Sequence, residues 1–199
     1  MKYKYSEKDF DLISWERIDK FIDKIYSEVL DYITKNNLKI RYIAPILRGG
    51  GVPAIKLSHM FDVIDMLPMQ LKYNLNTKNI DTKLSLDYIQ NSSIKQNECI
   101  LLVEGNQVTG RTANIAVEII RKKFGKNVKI INVSLTRDYS CRNSVKNVCF
   151  STWGMSTNEL KEISREDCEK LSINYNLISL YPWENIEEEL CEINNYLND

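Results

Sequence analysis

The stretch ILLVEGNQVTGRT, Ile100 to Thr112, carries four apolar residues into a single acid, Glu104, and ends on Thr-Gly-x-Thr. A strand that delivers one carboxylate and passes at once into a helix suits a phosphorylated sugar. Amides from Val108 to Thr112 can surround a phosphate, because the first turn of a helix has N–H groups without intrahelical acceptors. Gly110 lets the backbone approach closely, and the hydroxyls of Thr109 and Thr112, on either side of Arg111, add donors. The Glu104 carboxylate can accept hydrogen bonds from sugar hydroxyls. The expected ligand is a ribose 5-phosphate.

Other chemistries find less support. Lys plus Arg and Asp plus Glu each number 27 in 199 residues, with the signs interspersed, so no sustained field for nucleic acid or an anionic membrane is expected. His59 is the single histidine, which argues against histidine-held zinc and a histidine-based triad. Five widely spaced cysteines without a CxxC pair read as small apolar side chains in a reducing compartment. The start, MKYKYSEKDF, lacks an apolar signal-peptide core, and no run approaches the roughly 20 apolar residues of a membrane span. A cytoplasmic protein is expected.

The elements that must hold the motif can be read from periodicity. Ile18, Phe21, Ile22, Ile25, Tyr26, Val29 and Ile33 fall on one helical face, with Ser14 as N-cap. IRYIAPIL (40–47), then RGGGVP, then AIKLSHMF reads as strand, Gly-rich turn and helix. MLPMQLKY (66–73) precedes about twenty polar residues, a connection long enough to suggest a functional or mobile loop. CILLV enters the motif, with the turn expected after Val103; ANIAVEIIRKKF (113–124) is helical and VKIINVSL (128–135) is a strand. In the tail, VCFSTW (148–153) reads as a strand and Ser156-x-x-Glu159 as a capping box. A last helix over 183–198 carries Ile186, Leu190, Ile193 and Leu197 on one face; Trp15 and Trp183 read as structural. Alternating strands and helices imply one α/β domain, 1–199, with a central, mainly parallel sheet flanked by helices and a small C-terminal hood over 155–181.

With these residues in place the chain resembles the type I phosphoribosyltransferases, closest to their xanthine-guanine branch. The family's signature is four apolar residues, two acids, three variable positions and Thr/Ser-Gly-x-Thr/Ser. ILLV-E-G-NQV-TGRT matches all but the second acid. RYIAPILRGGGVPAIKLSHMF is similar to that branch's pyrophosphate loop, and LISWERIDKFIDKI and YPWE match further segments, so the resemblance spans nearly the whole chain. It implies a Rossmann-like core and transfer of a 5-phosphoribosyl group from phosphoribosyl pyrophosphate, PRPP, to a nitrogenous base with release of pyrophosphate. It also implies magnesium bound mainly through PRPP, and a homodimer. Arg48 and the Gly49 and Gly50 amides would hold pyrophosphate, with Lys72 flanking a mobile loop beside it. Arg48 and Glu104 would carry the chemistry. Arg137 stands about where the purine branch places a lysine facing the base, though read alone it is equally a solvated loop arginine; Ile178 and Ser179 would complete the base site.

Three departures fall on that chemistry. Gly105 replaces the second acid, Val108 stands where 6-oxopurine enzymes have an aspartate beside the imidazole edge, and Ile178 stands where they have a stacking aromatic. Restoring both acids is therefore expected to raise any trace activity on 6-oxopurines. The same departures support an alternative, a weak or inactive member of the fold that binds PRPP or a nucleotide as a sensor.

Overall fold

The computed structural model describes residues 4–74, 77, 79–90, 93–141, 143–175 and 177–196. Ile18, Ile22, Ile25, Val29 and Ile33 are buried along one face of helix α1 (Trp15–Lys35), and the Ser14 hydroxyl caps it by accepting from the Arg17 amide. Burying each such side chain is worth about 1.5–3 kcal/mol, so this face alone fixes the helix against the sheet. The strands are β1 (Phe10–Leu12), β2 (Lys39–Leu47), β3 (Met69–Asn74), β4 (Asn79–Leu84), β5 (Glu98–Gln107), β6 (Lys129–Asp138), β7 (Phe150–Asn158), β8 (Asn174–Tyr175) and β9 (Ile178–Leu180). The remaining helices are α2 (Gly51–Met60), α3 (Arg111–Phe124), α4 (Arg165–Leu171) and α5 (Ile186–Tyr196).

Among the described residues the main sheet has the order β4-β3-β2-β5-β6-β7-β8. It is parallel throughout except for the β3–β4 pair. α1 and α2 pack on one face with Ile43, Leu101, Val103, Ile131 and Val133; α3 covers the other with Ile100, Leu102 and Ile130. Strands buried on both faces need near-continuous apolar runs, which is why CILLV and IRYIAPIL could be read as strands. No helix among the described residues is long and apolar enough to cross a membrane.

Several boundaries differ from the sequence expectation, each for a physical reason. β5 does not turn after Val103: Asn106 and Gln107 still pair with Thr136 and Arg137 of β6, so the strand carries Glu104 and Gly105 to its end. The polar segment after Tyr73 contains β4 and a 3-10 turn, Leu86–Tyr88, whose Leu86 is buried against the α3 face; residues 75, 76, 78, 91 and 92 lie outside the described residues. Ser156 caps nothing, because β7 runs on to Asn158; the helix starts at Arg165, where Ser164 accepts from the Asp167 amide. α5 begins at Ile186 rather than 183, and Leu197 lies outside the described residues. Cys99 and Cys168 are buried, but Cys149 and Cys191 are exposed. In the hood region β7 and β8 extend the main sheet, while β9 pairs in parallel with β1.

Candidate functional site

The carboxyl ends of β2 and β5 meet at two glycines. β2 leads through a cis peptide between Leu47 and Arg48 into the Gly-rich turn. The Gly50 amide donates to Ile46 O (2.9 Å), and a Cβ on Gly50 would lie 2.2 Å from Val103 O. Gly50 therefore shapes the loop under β5 rather than offering its amide to a ligand in this conformation. Gly49 faces Gly105, whose Cβ, were it present, would lie 3.0–3.1 Å from three backbone atoms of Gly49.

From the end of β5 the polar residues are tied to β6 and to the tail. Asn106 Nδ2 donates to both carboxylate oxygens of Glu159 (3.0 and 3.1 Å), and its Oδ1 accepts from the Thr136 hydroxyl (3.0 Å). The Tyr181 hydroxyl donates to Gly105 O (2.9 Å) and lies 2.6 Å from Thr136 Oγ1. The Ser179 amide approaches Glu159 Oε1 at 3.4 Å. These contacts lock the tail over the strand ends and form the back of a cleft of about 560 Å³.

The cleft brings together most of the expected site. Arg48, Gly49, Gly50 and Lys72 line one side, Glu104 and Thr112 the floor, and Ile178 and Ser179 the side built by the tail. Val108, Thr109, Gly110 and Arg111 do not line it; they form the turn into α3. There Gly110 has φ 71°, and a Cβ would lie 2.3 Å from Ser144 Oγ, so both backbone and neighbour require glycine. The Thr109 hydroxyl accepts from the Arg111 amide at 3.4 Å, and Asn114 Nδ2 ties Gly110 O to Ser144 O.

Arg137 is neither a base-facing cleft residue nor a solvated one. It is 1% exposed, donates to Gln107 Oε1 and to Ser151 Oγ (2.9 Å), and lies over the Trp153 ring at 4.6 Å. Burial lowers its pKa to about 10, against the opposing pull of the Glu104 charge.

The electrostatics of the cleft are divided. Burial pushes the Glu104 carboxyl up to about 7, with the Gln107 amide and the Arg137 charge only partly offsetting it, and its Oε2 meets no donor among the described residues. Burial likewise holds Glu159 at about 7, despite its bonds from Asn106 and Ser179. Glu184, Glu188, Glu189 and Glu192 also line the cleft, facing Arg48 and Lys72. Chemically, the guanidinium and ammonium can hold a diphosphate, while the buried carboxylate can accept from hydroxyls of a sugar between the two loops. A larger cavity, about 760 Å³, lies between residues 82–88 and α3, away from the strand ends. In a parallel sheet ligands bind at the strands' carboxyl ends, so the smaller cleft is the candidate site.

Solved structures place this architecture. A purine phosphoribosyltransferase from Pyrococcus horikoshii matches with a TM-score of 0.61 over 89% of this chain and 95% of that one, at 17% identity. This is the type I phosphoribosyltransferase fold. The xanthine-guanine-hypoxanthine phosphoribosyltransferase of Helicobacter pylori matches at 0.58 over 92% and 99%, with 13% identity. A hypothetical protein from Neisseria gonorrhoeae with bound ppGpp matches at 0.62 over 96% and 98%, with 12% identity. At such identities the phosphoribosyltransferase likeness is one of fold. No family model matches the sequence, and no curated protein is significantly similar to it.

Within the fold, several contributors had no sequence signal. Glu159 sits in a false capping pattern, Asn106 falls at a variable position of the signature, and Tyr181 belongs to YPWE, a segment whose resemblance gives it no role. The glutamates of α5 were legible, since Glu188, Glu189 and Glu192 share one helical face by spacing alone.

Proposed function

We propose that the cleft binds PRPP and supports transfer of its phosphoribosyl group to a nitrogenous base. The observation that carries this reading is the convergence, in one cleft, of the Arg48–Gly49 turn from β2 with Glu104 and Thr112 from β5 and α3. Arg48 and Lys72 hold the pyrophosphate, the turn from Val108 to Thr112 holds the 5-phosphate at the start of α3, and Glu104 accepts from the ribose hydroxyls. Ile178 and Ser179 bound the place of the base.

Among the described residues no cluster of three or more acids, histidines or cysteines could cage a metal ion. One buried carboxylate with an oxygen lacking a donor fits magnesium that arrives chiefly on the oxygens of PRPP. Bound there, magnesium would neutralise the leaving pyrophosphate. The protein's own part is electrostatic: Arg48 and Lys72 stabilise the leaving group, and Glu104, ionised once hydroxyls donate to it, favours positive charge on the sugar.

A second reading, a nucleotide or PRPP sensor without transfer, is favoured by the Gly49–Gly105 contact, which leaves little room for a second ribose acid. The neighbour with bound ppGpp supports it further. A screen of nitrogenous bases with PRPP and magnesium, followed by pyrophosphate release, separates the two. Release with at least one base establishes transfer. Binding of PRPP or ppGpp without release from any base establishes the sensor.

A further inference from the structure

Helix α5 lays Glu188, Glu189 and Glu192 along the wall of the cleft. Glu192 Oε1 lies 2.8 Å from Lys72 Nζ, and the Arg48 charge acts on both Glu184 and Glu189. One of the two cations assigned to pyrophosphate, Lys72, is therefore already paired, and the other, Arg48, lines the same cleft as these glutamates. The helix that carries those carboxylates is lightly seated: none of its residues whose side chains are described is buried. Near its end it is fastened by Asn194, which accepts from the Tyr5 amide (2.9 Å) and donates to Tyr5 O (3.0 Å).

We propose that α5 is an acidic strap that occupies the pyrophosphate side of the cleft, and that a diphosphate binds by displacing Glu192 from Lys72 and the other α5 glutamates from the cleft wall. This rests on the phosphoribosyl reading of the cleft. Two features make the exchange work. Lys72 and Glu192 are 60% and 47% exposed, and such solvated pairs contribute only about two- to fivefold to an equilibrium, so the strap can be lifted. A diphosphate offers the same cations more charge and paired oxygens, and bidentate phosphate contacts to arginine are stronger than a single carboxylate contact. Left in place, the glutamates repel the incoming anion, so the strap sets the threshold concentration at which ligand enters.

The test is calorimetry on the full chain with magnesium pyrophosphate and with magnesium PRPP. The parent is compared with a Glu188→Gln, Glu189→Gln, Glu192→Gln variant and with Asn194→Ala, which loosens the strap without changing the charge of the cleft. The strap predicts tighter binding of both ligands in the triple variant, by at least the roughly two- to fivefold that the single Lys72–Glu192 pair contributes. Asn194→Ala should tighten binding by a smaller factor, and hydrogen exchange of the α5 amides should rise when ligand binds the parent. Equal or weaker affinity in both variants, or protection of α5 on binding, overturns the strap while leaving the cleft assignment standing. Failure of every protein to bind either ligand overturns the cleft assignment and the strap together.

Discussion

Gly49 and Gly105 approach each other backbone to backbone, with the position of a missing Cβ on Gly105 only 3.0 Å from the carbonyl carbon of Gly49. The glycine that replaces an acid of the family signature is thus also the residue that lets the Arg48 turn sit against β5. Gly105→Asp therefore adds a carboxylate only by disturbing this contact. It must push the turn outward by a few tenths of an ångström. The predicted result is destabilisation of about 1–3 kcal/mol, as for other overpacked sites, and weaker pyrophosphate binding. Chemical denaturation and calorimetry check it; a Gly105→Asp protein as stable as the parent and tighter for pyrophosphate would contradict it.

Arg48→Ala and Lys72→Ala should each weaken PRPP far more than ribose 5-phosphate, since only PRPP carries the pyrophosphate that these residues are proposed to hold. For Arg48 the loss should be about 1.5–3 kcal/mol, the range of charge-assisted hydrogen bonds. Equal losses for the two ligands in calorimetric titrations would mean that Arg48 supports the loop and not the ligand.

Stability should depend on pH through Glu104 and Glu159, whose carboxyls rise from 4.5 to about 7 on folding. The folded state then binds protons that the unfolded state has already released. Their stabilising contribution is fully present below pH 4.5, falls as pH rises toward 7, and is gone above it, with a slope of up to about 1.4 kcal/mol per pH unit for each group. Glu159→Gln, which keeps an acceptor for Asn106 or Ser179, should remove about half of that slope. Denaturation midpoints from pH 4.5 to 8 measure it, and an unchanged slope in the variant would show that Glu159 does not titrate in this window.

Guanine, xanthine and hypoxanthine should be poor acceptors. Val108 can neither give nor take a proton at the imidazole edge, and such help is typically worth a factor of about 10² to 10⁴. Arg137, engaged with Gln107, Ser151 and Trp153, does not line the cleft. Steady-state turnover with any of the three bases near about 10 per second, the enzyme median, would contradict this.

The sheet and the turn around Arg48 were legible because strands buried on both faces and glycines under crossing backbone leave strong, local marks. Ser14, Gly110 and the buried face of α1 belong to the same class. What could not be read depends on contacts between distant segments. Glu159 is a site-adjacent acid only because Asn106 Nδ2, fifty-three residues earlier, donates to its two carboxylate oxygens. Arg137 was ambiguous because its burial is set by Trp153 on the neighbouring strand, a pairing that no periodicity announces. The meeting of α5 with Lys72 joins segments 120 residues apart, which no local spacing announces.

The central claim is that the turn from Val108 to Thr112 and the Arg48 loop together hold PRPP. Its most direct measurement is thermal unfolding of the parent with magnesium and saturating PRPP, beside a Thr109→Ala, Thr112→Ala variant. Linkage predicts stabilisation of the parent by about 2.7 kcal/mol at a hundred times the dissociation constant, with most of that gain lost in the variant. No PRPP-dependent shift in the parent, with magnesium present and ligand well in excess, would contradict the account.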